Sequence, residues 1–90
     1  MTFQPSEISH FQELFVDWKP QIRSFPGCVH LELLHDVNDQ RVFFTYSHWN
    51  EAADLEKYRV SEVFNSVWPQ VKRMFEEPAQ AWSVQREHML

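Results

Sequence analysis

"CVHLELLHDVNDQRVFFTYSHW", residues 28–49, decides how this chain folds. Alternation along its first arm puts Val29, Leu31, Leu33 and His35 on one face of a strand and Cys28, His30, Glu32 and Leu34 on the other. "VNDQ" supplies the Asn and Asp that turns favour, and "RVFFTYSHW" makes the second arm of a hairpin. Pairing centred between Asn38 and Asp39 sets Phe44 and Tyr46 opposite Leu33 and Leu31, with Phe43 and Trp49 on the other face. Both faces therefore carry large apolar groups, and both need a cover. Helices supply one; in a chain of 90 residues the other has to come from a second subunit.

Upstream of the hairpin, apolar residues recur at Ile8, Phe11, Leu14, Phe15, Trp18 and Ile22, the spacing of a helix from Pro5 to Ser24. Ser6 or Pro5 starts it, and Pro20 predicts a kink in its last turn. "SFPGC" breaks it, because Pro26 disfavours a helical Phe25 and Gly27 supplies turn freedom. Downstream, "NEAADLEKYR" reads as a short helix capped by Asn50 that turns Ala52, Leu55, Tyr58 and Arg59 inward. Ser61 caps the next helix, whose stripe is Phe64, Val67, Trp68, Val71, Met74 and Phe75, with Pro69 inside it and "EEP" ending it. "AWSVQRE" alternates as a closing strand, with Trp82, Val84 and Arg86 on one side.

The composition describes a single globular domain over residues 1–90, 43% hydrophobic and 16% aromatic with one glycine, and disorder is not expected of it. A net charge of −5 with scattered basic residues argues against nucleic acid as a partner. The lone Cys28 cannot form an intramolecular disulfide, and neither a basic-apolar leader nor a long apolar run is present. The expectation is a cytoplasmic protein that binds no membrane. No Ser/His/Asp arrangement, phosphate loop or dinucleotide fingerprint is found, which removes hydrolase, kinase and dinucleotide-dependent readings. Cys28, His30 and Glu32 alternate on one strand face, but neighbours there stand roughly 7 Å apart, so no metal site is expected. His10, His35 and His88 read as surface residues.

"IRSFPGCVHLELL", "FFTYSHWNEAADLEKYRVSEVF" and "AWSV", in this order and at these spacings, resemble the antibiotic biosynthesis monooxygenase (ABM) family over Thr2 to Arg86. The resemblance implies an α+β fold: a ferredoxin-like βαββαβ unit with an antiparallel sheet, packed sheet to sheet in a homodimer as a dimeric α+β barrel. Such a unit begins with a strand in mid-sheet, yet only Met1, Thr2 and Phe3 precede the first helix. The first strand is short or truncated; the expectation is that the chain as given begins downstream of its natural start, since a gap in mid-sheet leaves ladder groups unpaired.

Some members of the family oxidise phenols or quinols with molecular oxygen and no cofactor, and a related branch opens haem. The haem branch carries a Trp where Tyr58 stands, its iron-binding His where Trp68 stands, and an Asn on the first strand. An indole at the ligand position cannot bind iron, which disfavours haem degradation. Phenol oxidation needs deprotonation, a dry pocket and a donor or cation near the developing charge. The resemblance points to Tyr58 and Trp68 as pocket positions and expected catalytic residues; by residue type, His48 is the expected proton acceptor, and Trp49, Arg59, Tyr46 and Phe44 are the expected ligand-binding residues. Packing competes with each role: Trp49, Tyr58 and Trp68 are core-type residues, and Arg59 and His48 suit a solvated rim. Two functions stay open, a cofactor-independent monooxygenase acting on a small aromatic phenol or quinol, and a non-catalytic dimeric module that binds a small ligand.

Overall fold

The computed structural model describes residues 1–89. Its elements are β1 (Thr2–Phe3), α1 (Ile8–Arg23), β2 (Cys28–His35), β3 (Phe43–Trp49), α2 (Ala52–Arg59), α3 (Glu62–Lys72) and β4 (Phe75–Glu77), in that order. This is the α+β order expected, with antiparallel pairing throughout. The second connection is built from two short helices.

β1 is two residues long and still joins the sheet together. It pairs with β4 on one side and bridges Val42 on the other, giving the spatial order β2-β3-β1-β4. The Phe3 N–H donates to Arg41 O at 2.8 Å, the Phe43 N–H to Met1 O at 2.9 Å and the Gln4 N–H to Met74 O at 2.9 Å. Over these residues the mid-sheet groups are paired. Arg41 reinforces the seam through Asp39, at 2.8 Å, and through Glu76 on β4.

The hairpin register differs by one residue from the expected pairing. Leu33 faces Thr45, Leu31 faces Ser47 and Glu32 faces Tyr46. The cause is Asp36, whose Oδ1 accepts the N–H groups of Asn38 (2.7 Å) and Asp39 (3.1 Å) and closes an Asx turn. The Asp36 N–H then reaches Val42 O at 3.0 Å, which centres the pairing on Asp39. One residue of register exchanges the faces of β3. Phe43, Thr45 and Ser47 turn toward the helices with Leu31 and Leu33, while Phe44, Tyr46 and His48 join His30, Glu32 and Leu34 on the outer face.

α1 lays Phe11, Phe15, Trp18 and Ile22 on the inner face of the sheet. Ser6 makes no cap; it lies in a 3-10 turn over Pro5–Glu7 that leads into the helix. The helix runs through Pro20 to Arg23, and both the N–H and Oγ of Ser24 then donate to Pro20 O, at 3.0 and 2.7 Å. Phe3, Phe11 and Phe43 are the centre of the core, each 2% exposed or less. Their ring centroids lie 4.2 to 5.7 Å apart. Truncating one such ring to alanine costs about 3–5 kcal/mol.

α2 starts after Glu51 rather than Asn50, because the Asn50 N–H is still held by Gly27 O at 2.8 Å. Ala52 and Arg59 are exposed, so Leu55 and Tyr58 alone point that helix inward. Ser61 caps α3 as expected, its Oγ accepting the Phe64 N–H at 3.3 Å. That helix ends at Lys72, before "EEP", and Phe75 opens β4 with its ring edge-on to Phe3 at 5.2 Å. The expected closing strand over "AWSVQRE" is absent: residues 78–89 have no regular secondary structure, and Trp82 and Val84 are 72% and 81% exposed. β4 already occupies the edge that β1 offers, and an alternating pattern without a partner strand makes no ladder.

Gly27 adopts φ 91°, and a Cβ there would stand 2.3 Å from Asp54 Cγ. That carboxylate accepts the Glu51 N–H at 3.2 Å at the start of α2. Gly27→Ala therefore strains the turn and uncaps the helix together, an expected loss of about 1–3 kcal/mol in urea unfolding followed by tryptophan fluorescence. An unchanged midpoint would show that the turn does not hold α2.

Candidate functional site

Between the inner face of β3 and the helices lies a cavity of about 550 Å³, within the usual range for small-molecule sites. Its wall is aromatic. Trp49, the last residue of β3, stacks on Tyr58 with centroids 5.4 Å apart and planes at 28°. Phe64 meets Tyr58 edge-on at 5.3 Å and stacks on Trp68 at 5.5 Å and 19°. These rings follow from helical spacing: Leu55 and Tyr58 share a face of α2, and Phe64 and Trp68 share a face of α3.

Trp18 and Ile22 close the cavity from α1, and residues 79–83 cross it from the other side. Arg59 sits at the rim, 46% exposed at its side chain and 3.7 Å from Glu56. Such an exposed pair binds weakly, which leaves the guanidinium available to an anion.

The cavity thus gathers five of the seven residues expected of a site: Tyr58, Trp68, Trp49, Arg59 and Phe44. Phe44 touches it while remaining 46% exposed. His48 and Tyr46 are elsewhere. The register carries them to the outer face, where the His48 ring lies 5.2 Å from that of His30 and 4.8 Å from that of Tyr46, and His30 Nε2 stands 3.1 Å from Glu32 Oε2. Among the described residues no group of three His, Cys, Asp or Glu side chains could hold a metal ion, and Cys28 is buried on the inner side.

Tyr58 is 6% exposed, and burial pushes its phenol well above the ordinary value of 10.0, with the Trp18 indole opposing the shift and Cys28 adding to it. Trp18 acts on that phenol outside hydrogen-bond geometry, for Trp18 Nε1 is the buried side-chain atom among the described residues that has no hydrogen-bond partner. An unpaired buried donor costs roughly 1–3 kcal/mol. The Trp49 indole differs, donating to Ser47 Oγ at 3.0 Å. Trp18 carried no signal in the sequence beyond its place in the α1 stripe, because the fate of an indole N–H depends on what packs around it.

With a small aromatic cavity, a phenol kept protonated and a guanidinium at the rim, the site suits a flat apolar molecule bearing an oxygen anion. The matching family model, antibiotic biosynthesis monooxygenase, covers residues 1–69. The chain belongs to the antibiotic biosynthesis monooxygenase family. Solved structures with the same fold include a Mycobacterium tuberculosis protein (TM-score 0.82, 14% identity, covering 97% of this chain and 91% of that one). A conserved protein of Methanosarcina mazei matches with TM-score 0.81 and 13% identity over 86% of this chain and 76% of its own. A Nitrosomonas europaea protein named for the same family matches with TM-score 0.80 and 17% identity over 86% and 74%. At such identities the likeness is one of fold. None of the curated proteins matches the chain by sequence.

The raised Tyr58 value fixes a sign. Folding favours the neutral phenol, so this contribution to stability is complete below the ordinary value of 10.0 and is lost as pH rises above it, where the unfolded chain releases the proton first. Urea midpoints measured into the alkaline range should fall more steeply for the wild type than for Tyr58→Phe. Parallel slopes would mean that Tyr58 titrates as it does in the unfolded chain.

Proposed function

We propose that this protein is a cofactor-independent monooxygenase that oxidises a small aromatic phenol or quinol with molecular oxygen. The observation that carries the reading is the aromatic cavity between β3, α2 and α3, with Tyr58 and Arg59 as the ionisable side chains among those lining it. A phenolate bound there is electron-rich, shielded from water by Trp49, Phe64 and Trp68, and close to two groups suited to its charge. Arg59 favours entry of the anion, and Tyr58, being neutral, donates to its oxygen instead of accepting its proton. The phenolate gives electrons to oxygen, one oxygen atom enters the ring as a carbonyl, and the other leaves as water with the two hydrogens the phenol loses.

Oxygen uptake is the test, with metal-stripped protein, boiled protein as control, and a panel of hydroquinones, naphthols and hydroxylated anthracenes. Catalysed uptake should place one labelled atom from oxygen-18 gas in the product. Tyr58→Phe should lower turnover about 10²-fold or more, the usual effect of removing a donor at a developing oxyanion. Trp68→Phe should raise KM, and unchanged kinetics in both variants would take these residues out of the mechanism. Because no imidazole lines the cavity, the rate should rise with pH along the ionisation of each phenol and shift from substrate to substrate; a common midpoint near neutrality would point to an enzyme base.

A second reading rests on that same absence of a base within the cavity: a module that holds a small aromatic molecule without turning it over. Saturable binding with no uptake faster than control across the panel would select it.

Either function is served by a homodimer. Leu34, Phe44 and Tyr46 leave the outer face of the hairpin 41 to 46% exposed at apolar side chains, and a second copy packed sheet to sheet would cover them. Sedimentation equilibrium should give twice the chain mass of 10.9 kDa; a monomer at micromolar concentration would rule the pairing out.

A further inference from the structure

β4 ends at Glu77, and Pro78 follows it with no N–H to carry the ladder further. Beyond it, no backbone hydrogen bond ties residues 79–89 to another described residue. Residues 79–83 nevertheless line the cavity. A segment held by side-chain contact alone, with its backbone open to solvent, opens at far lower cost than the helices and strands beside it. This stretch is therefore the side of the cavity that moves most readily.

Trp82 is the one large apolar group that the segment offers there, and it is 72% exposed. The other indoles of the wall are already placed: Trp18 is 5% exposed, and Trp49 and Trp68 stack on Tyr58 and Phe64. An indole left in water at the edge of an aromatic cavity gains from a flat apolar surface placed against it. A flat ligand in the cavity supplies that surface.

Taking this cavity as the ligand site, as read above, we propose that residues 79–83 are a strap that closes on the bound ligand, with the Trp82 ring stacking on it. Trp82 is then a binding residue with no part in holding the fold, and it sets a preference for flat aromatic molecules. Closure also shields the ligand from water on the side that these residues line.

The test uses the whole protein labelled with 5-fluorotryptophan, its four fluorine signals assigned by Trp→Phe replacement. The probe is 2,3-dimethyl-1,4-naphthoquinone. Without it, the Trp82 signal should move between light and heavy water, as an exposed fluorine does; at saturation that solvent shift should be lost. Trp82→Ser should bind the probe about 3- to 10-fold more weakly and release it faster, with an unchanged urea midpoint, and Trp82→Phe should recover most of the affinity. If the probe moves the Trp49 and Trp68 signals with equal affinity in the wild type and Trp82→Ser, the strap is wrong and the cavity stands as the ligand site. Tighter binding by Trp82→Ser would overturn the strap too, because the segment then obstructs the cavity. So would a Trp82 signal already shielded without the probe and freed on dilution, since a second copy then covers the segment. If the probe moves no signal, the strap and the ligand site fall together.

Discussion

The fold depends on a seam two residues wide. Thr2 and Phe3 hydrogen-bond to β4 on one side and to residues 41–43 on the other, so that two separate ladders become one sheet. Phe3 adds the apolar half of the join. Its ring is wholly buried and meets those of Phe11, Phe43 and Phe75, one from the long helix and two from the strands on either side. Backbone pairing that short is marginal alone. The burial of one large ring between three others makes it hold, and without it α1 would have no continuous surface to cover.

The site is a by-product of how that surface ends. α1 covers the sheet near Phe3 and Phe43, and toward Trp49 its last turns, at Trp18 and Ile22, share the covering with α2 and α3, with the cavity left between them and β3. Rings line it because the same residues anchor the helices: Tyr58 and Phe64 pin α2 to α3, and Trp49 pins α2 to the end of the hairpin. The packing of the helices and the lining of the cavity thus draw on one set of aromatics. The polar groups of that wall include the Tyr58 phenol, the Arg59 guanidinium and the hydroxyls of Thr45 and Ser47.

Much of this was legible in the sequence. Helical spacing and capping residues gave the α1 stripe, the Ser61 cap and two of the four residues expected on the inward side of α2, Leu55 and Tyr58, and the motif resemblance gave the family and the topology. The register was not. Alternation says which residues share a face of a strand but not which face meets the helices when both are apolar, and the choice was made by the Asp36 carboxylate, a turn contact with no periodic signature. With that turn, His48 and Tyr46 lie outside the cavity and Thr45 and Ser47 stand in its wall. The segment over residues 78–89 misled for a related reason: Trp82 and Val84 alternate as a strand does, yet a strand is defined by its neighbour, and pattern alone cannot supply one. Trp18 was read correctly as core, with its orphaned nitrogen hidden.

The two-residue seam also governs the order of assembly. Thr2 pairs with Glu77, nearly the full length of the chain away, while the hairpin closes across a short turn. Loop-closure entropy makes local pairings early and distant ones late. During synthesis Thr2 and Phe3 have to wait for residues 75–77 before the sheet can be joined, so until then Phe3 is an unburied aromatic. The strand that joins the sheet is thus the last to find its place.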